Sequence, residues 1–200
     1  MKITSIAQQL KQKDRYSIFV DGKYVFSLSE SALLESKLAV KQELDQAELK
    51  GWRLRSAEDK ITSDALRYVA LRLRSSWEME FYLKRKSASP SLIAQILSKL
   101  TNIGLLNDET FARSWINNRR LLRPTSKRKL QQELRSKHIS AEIIEQALAA
   151  DESNELDVLQ QLITRMHRQP KYRADNLKLM QYLSRQGFDY GDIKSAMKEE

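Results

Sequence analysis

Three stretches of the 200-residue chain superimpose on one another. WEMEFYLKRKSASPSLIAQILSKL from Trp77, RKLQQELRSKHISAEIIEQALAAD from Arg128 and LKLMQYLSRQGFDYGDIKSAMKEE from Leu177 align on Leu83, Leu134 and Leu183. Ten positions further on stand Ile93, Ile144 and Ile193, and fourteen further on Leu97, Leu148 and Met197. Each stretch has another amphipathic helix upstream, so one unit is three helices and the period is about 50 residues, the mark of a tandem repeat. A three-helix unit of this size is near the minimum that folds alone, and stacking neighbours buries its remaining apolar edges. The expectation is a mainly α chain of helix-turn-helix-like three-helix repeats in an elongated, curved array. Such a shape suits binding along an extended partner more than enclosing a small substrate.

The helical period supports this reading from Thr62 onward. Leu66, Val69, Ala70 and Leu73 form one apolar stripe, and Ile93, Ile96, Leu97, Leu100 and Ile103 another. Phe111, Trp115 and Leu122 form a third, and Leu156, Leu159, Ile163 and Met166 a fourth. The second helix of each repeat ends in a basic turn followed by a break: Lys84-Arg85-Lys86-Ser87, Arg135-Ser136-Lys137-His138 and Ser184-Arg185-Gln186-Gly187. Gly187 suits a left-handed C-cap, while Ser87 and His138 should cap less well. Ser89, Ser140 and Asp189 stand where the third helix needs an N-cap.

The chain before Thr62 reads differently. In YSIFV-DG-KYVFSL, residues 16–28, two β-branched and aromatic runs flank Asp21-Gly22, which suits a type I′ turn because both central residues need positive φ. This hairpin is expected to pair with Ile3–Ile6 or rest on a helix, since two strands alone are marginal. Ser29 or Ser31 caps a short helix, and a second helix starts near Glu43–Asp45, with Gly51 a point of interruption. The expected division is 1–60 for the hairpin module, then repeats at 61–107, 108–152 and 153–200.

Several chemistries find no support. The chain has no cysteine, so neither disulfides nor a thiolate metal site can form. The N-terminal MKITSIAQQLKQKDR lacks the apolar core of a signal peptide, and no apolar run approaches the roughly 20 residues needed to span a bilayer. The expected location is cytoplasmic, with no membrane partner and a monomeric chain. No glycine-rich phosphate loop occurs. His138 and His167 lack metal-ligand partners at helical spacing, so no metal or cofactor is expected. Asp108 and Glu109 read as acids at the positive end of a helix rather than as a catalytic pair. Trp77 and Trp115 lie on apolar stripes, so core packing is favoured over base stacking for both.

The charge is concentrated. Of a net +9, the segment Phe111–Lys137 carries +8: Arg113, Arg119, Arg120, Arg123, Lys127, Arg128, Lys129, Arg135 and Lys137 against Glu133. A solvated helix face is the bland explanation, but the segment lacks balancing acids. Lys127, Arg128 and Lys129 open a helix, where cations oppose the dipole, so helix stability does not account for them. A phosphate backbone or an acidic groove would. A weaker basic echo in the first repeat comprises Arg67, Arg72, Arg74, Lys84, Arg85 and Lys86. The candidate contacts are these nine, together with Arg72, Arg74, Lys84, Arg85 and Lys86.

The phrase Gly104-Leu105-Leu106-Asn107-Asp108-Glu109-Thr110-Phe111-Ala112-Arg113-Ser114-Trp115 resembles the central motif of the RecX family, regulators of the RecA recombinase. Leu66-Arg67-Tyr68 with Arg74-Ser75, the run Lys129–Lys137, the preceding hairpin module and the closing Gly187-Phe188-Asp189-Tyr190-Gly191-Asp192-Ile193 are similar to the family's other marks. The chain departs from the family pattern at Lys86-Ser87 and Lys137-His138, where Lys-Gly is usual, and at Asn107, where Asp is more usual. The resemblance implies a non-enzymatic modulator of the RecA–DNA filament that lies along its helical groove and typically inhibits ATPase and strand exchange in recombination and repair. Direct contact with single- or double-stranded DNA is the further possibility it carries. The alternative, from the residues alone, is a stand-alone helical nucleic-acid-binding protein acting through phosphate contacts.

Overall fold

The computed structural model describes residues 1–198; Glu199 and Glu200, which end the third aligned stretch, lie outside the described residues. The fold is mainly α with one small sheet. It divides into two compact units, Met1–Leu73 with Met79–Leu106, and Arg74–Glu78 with the chain from Asn107 onward.

In the first unit, β1 (Ile3–Gln8), β2 (Arg15–Val20) and β3 (Lys23–Ser29) form an antiparallel sheet in chain order. Asp21 and Gly22 turn the hairpin at φ 49° and 76°, the geometry a type I′ turn requires. Ile18, Val20, Phe26 and Leu28 alternate onto one face and are buried with Ile3, Leu44 and Leu49. Helix α1 (Glu30–Ser36) is capped by Ser29, whose Oγ accepts from the Ala32 amide. Helix α2 (Gln46–Ala70) opens on a capping box: Asp45 accepts from the Glu48 amide at 2.7 Å, and Glu48 accepts from the Asp45 amide at 2.8 Å. It runs through Gly51 without a break. A mid-helix glycine costs only about 1 kcal/mol, and packing of Leu49 and Trp52 on the sheet outweighs that. Arg15, buried, pairs with Asp59 at 2.9 Å and ties β2 to α2. The far half of α2 joins α3 (Ser76–Arg85) and α4 (Pro90–Asn102) around Ala65, Val69, Met79, Leu83, Ile93, Ile96 and Leu100.

The second unit holds α5 (Asp108–Leu122), α6 (Lys127–Ser136) and α7 (Ala141–Ala149) around Phe111, Ile116, Leu130, Leu134 and Ile144. It also holds α8 (Glu155–His167), the single turn α9 (Pro170–Arg173), α10 (Asn176–Arg185) and α11 (Tyr190–Ala196) around Leu159, Ile163, Leu179, Leu183 and Ile193.

The three repeats share one turn. Ser87, His138 and Gly187 all take positive φ, at 58°, 57° and 92°. After each, the amide of Ala88, Ile139 or Phe188 donates back to the carbonyl of Leu83, Leu134 or Leu183, the longer bond of a Schellman cap. Ser89, Ser140 and Asp189 then cap α4, α7 and α11 as their positions predict. Ser87 holds a left-handed conformation that suits glycine better. Ser87→Gly should therefore raise stability by about 0.5 kcal/mol, allowing for the entropy glycine adds to the unfolded chain. Urea denaturation measures it, and a loss of stability would show that the Ser87 side chain supports the turn.

Two expectations need correction. Trp77 is 36% exposed, not core; it stacks on the His138 ring, centroids 4.5 Å apart. Leu73, Ile103, Leu122 and Leu156, at the ends of the apolar stripes, are exposed, because each sits at or beyond a helix terminus where the stripe runs off its partner.

Candidate nucleic-acid interface

The basic segment 111–137 becomes most of α5, a four-residue link, and all of α6 with its C-cap Lys137. Its cations divide into two populations once acids from elsewhere in the chain are counted. Arg119 Nε donates to Glu133 Oε2 at 2.8 Å, and the same oxygen accepts from Trp115 Nε1 at 2.8 Å. The Arg119 guanidinium lies 4.9 Å from the Trp115 ring centroid and Lys137 Nζ lies 5.4 Å from it. Lys137 Nζ also donates to Glu78 at 2.7 Å. Arg120 donates twice to Asp151 Oδ2, at 2.9 and 2.6 Å, and to the Thr125 carbonyl at 2.5 Å. Burial pushes the Asp151 carboxyl up, but the bonds and charge of Arg120, with Ser153, outweigh it and hold the carboxyl below its ordinary value. The Lys127 amide donates to both carboxylate oxygens of Glu155, so the positive end of α6 is capped by an acid from α8. Arg119, Arg120 and Lys137 are thus parts of the scaffold.

A different set faces outward. Arg128, Arg135 and Arg185 are exposed, and Lys129 is half-buried. With Gln131, Gln132, Ser184 and Gly187 they line a shallow groove of about 440 Å³ that no acidic side chain enters. None of these four cations makes an ion pair among the described residues. Arg128, Gln131, Gln132 and Arg135 share one face of α6 because they are spaced by three, four and seven; Leu130 and Leu134 occupy the buried face. Arg185 arrives from the end of α10.

The groove exists because the turn after α10 docks on the start of α6. Thr125 Oγ1 and the Ser126 amide both donate to the Gln186 carbonyl, at 2.8 and 3.1 Å. Gly187 lies so close that a Cβ there would overlap Ser126 Oγ and stand 2.9 Å from Lys129 Cβ. The same joint occurs one repeat earlier, where Ser75 Oγ donates to the Lys137 carbonyl at 3.2 Å. Ser75 and Ser126 both precede the aligned leucine by eight residues, and Lys137 and Gln186 both follow it by three.

The comparisons with known proteins agree with this architecture. Residues 107–148 match the family described as RecX, second three-helix domain, and residues 1–45 match the regulatory protein RecX N-terminal domain. The chain is 32% identical over 203 residues to the regulatory protein RecX of Listeria welshimeri, covering 100% of this chain and 76% of that protein. The chain belongs to the RecX family. The Bacillus subtilis regulatory protein RecX is 29% identical over 201 residues, covering 98% of this chain and 76% of that protein. A crystal structure of regulatory protein RecX superimposes with a TM-score of 0.70 at 26% identity, over 100% of this chain and 99% of that one. That of RecX from Lactobacillus salivarius gives 0.59 over 72% of this chain and 96% of that one; at 24% identity it speaks to the fold alone.

The remaining basic residues of this RecX chain are distributed as follows. Arg113 and Arg123 are exposed. Arg123 is the C-cap of α5. Burial and then Tyr172 raise the Tyr182 hydroxyl above its ordinary value, with Arg165 and Arg123 only partly opposing them. Arg72 donates to the Leu73 carbonyl and Arg74 is half-buried. Lys84 pairs with Glu80 at 2.6 Å, and Lys86 with Asp64 at 3.0 Å. Arg85 is exposed and makes no ion pair among the described residues. Arg185, Gln131 and Gln132 were not among the candidates. Arg185 aligns with Arg85 in the repeat register, so superposition of the basic turns could have singled it out. No group of three or more His, Asp or Glu side chains that could hold a metal is present among the described residues, and no described helix is long and apolar enough to cross a membrane.

Proposed function

We propose that this protein is a non-enzymatic regulator that binds the RecA–DNA filament and lowers its ATP hydrolysis and strand exchange, using the groove of Arg128, Lys129, Arg135 and Arg185 as a principal contact. Family membership supports the regulatory role, and the resemblance of the 104–115 motif supports RecA as partner. The observation that carries the choice of surface is the grouping of four cations around one groove without an acid. Like charges left together repel, and a polyanionic partner relieves that repulsion. The filament offers phosphate backbone and acidic protein surface in a linear array. Arg85, Arg113 and Arg123 supply further exposed positive charge.

The test is inhibition of RecA's ATP hydrolysis on single-stranded DNA. The unchanged chain should inhibit. A folded Arg128→Glu/Arg135→Glu variant should need about tenfold more protein or worse, because two contacts become repulsive. Both residues are exposed, so circular dichroism should be unchanged. Inhibition by the folded variant at the original concentration would remove this groove from the account.

A further inference from the structure

A second basic groove lies in the first unit, remote in sequence from the charge-rich segment. It is about 520 Å³ in volume and runs between the β1–β2 loop, strand β3 and one face of α2. Lys11 lines it from the loop, and Arg53 and Lys60 line it from the helix. Arg53 and Lys60 are seven residues apart, two turns or about 10 Å along the axis. Ala57 lies between them and leaves the floor low. All three cations are exposed, and none has an ion pair among the described residues. The buried Arg15 beneath them is already neutralised by Asp59 and bonded to Ser27, so it is structure rather than site. Across the groove stands Tyr24, 56% exposed, with its ring meeting Phe19 edge to face at 6.1 Å.

We infer that this groove binds the backbone of a single-stranded nucleic acid, with Lys11, Arg53 and Lys60 on phosphates and the Tyr24 ring under a base. A positively charged track beside an exposed aromatic ring is the arrangement that holds single strands without reading sequence. A duplex could offer phosphates to the cations but keeps its bases stacked away from the Tyr24 ring, whereas a single strand supplies both. An acidic peptide would answer the cations but would leave the tyrosine ring without a role, so the nucleic acid fits more of the site. The inference does not depend on RecA, because the ligand tested is bare.

The experiment uses the full chain and a fluorescent oligothymidylate of 20 nucleotides, titrated at several salt concentrations. Arg53→Gln/Lys60→Gln should weaken binding and make the slope of log affinity against log salt shallower by about 1.4, from two phosphate contacts at roughly 0.7 each. Tyr24→Ala should weaken binding about fivefold and leave the slope unchanged. Both decrements should persist in the Arg128→Glu/Arg135→Glu background, which alters a different surface. Unchanged affinity and slope in both groove variants would overturn the inference. So would a polyglutamate peptide that displaces the oligonucleotide through Arg53 and Lys60 while Tyr24→Ala has no effect, since that result assigns the groove to an acidic protein segment.

Discussion

Replacing Arg120 with methionine should destabilise the second unit by about 3 kcal/mol, the scale expected when one partner of a buried ion pair is removed. The Arg120 and Asp151 side chains are only 10% and 7% exposed, and the pair joins the last turn of α5 to the link between α7 and α8. The same guanidinium bonds the carbonyl of Thr125, the residue that receives the α10 turn, and lies 4.0 Å from Glu155 at the start of α8. Methionine would fill much of the volume but leave Asp151 charged and short of partners. Asp151→Asn alongside Arg120→Met should recover part of the loss, because the orphaned charge is gone.

The pH dependence follows from the lowered Asp151 pKa. A carboxyl whose folded pKa lies below its unfolded value of 3.8 contributes stability above that value and loses it as pH falls through the folded pKa. In Arg120→Met, burial acts on Asp151 without Arg120 to oppose it, which favours the neutral acid. The gap between the two proteins should therefore be widest near neutral pH and should narrow as the pH falls below about 4. Urea unfolding followed by tryptophan fluorescence, at pH 7 and pH 3.5, measures both effects. A gap that does not change with pH would mean that Arg120 acts by packing rather than by charge.

Gly187→Ala should be the second costly change, at about 3 kcal/mol. Its φ of 92° alone penalises a side chain by roughly 1–2 kcal/mol. The added methyl would also displace Ser126 Oγ, which accepts from the Lys129 amide and caps α6; loss of such a cap costs about 1 kcal/mol. Gly104→Ala provides the control, since Gly104 has φ 74° and an added Cβ would meet nothing within 4 Å. It should cost only the backbone strain, and the difference between the two variants reports the close approach of the α10 turn to α6. Equal losses would contradict that packing. At the equivalent joint one repeat earlier, His138 takes the place of glycine and stacks on Trp77. The same backbone turn can therefore carry a side chain where the facing surface has room for it.

Features set by neighbouring residues were legible in the sequence. Asp21-Gly22 specified its turn, Ser89, Ser140 and Asp189 their caps, and the 50-residue register the matching turns at Ser87, His138 and Gly187, while Ser29 was one of two candidates for the cap of α1. Pairing across sequence distance was not legible. The acids that hold Lys137, Arg120 and the start of α6 are Glu78, Asp151 and Glu155, all outside the 111–137 window whose charge looked unbalanced. From sequence, Arg119 is as good a contact as Arg135; in the fold, Arg119 lies between Trp115 and Glu133 while Arg135 faces the open groove. Arg185 was hidden for the opposite reason, because its own turn is less basic and only the docking of α10 on α6 places it beside Arg128. Trp77 followed a helical stripe at a position where the stripe meets a histidine rather than a core.

The central claim is that the partner is the filament rather than nucleic acid as such. The most direct measurement is the affinity of the chain for one single-stranded oligonucleotide, bare and coated with RecA, at the same physiological salt. The account predicts tighter binding to the coated strand, with that advantage reduced by Arg128→Glu/Arg135→Glu. Equal affinity for the two would contradict it and leave a general single-strand binder in its place.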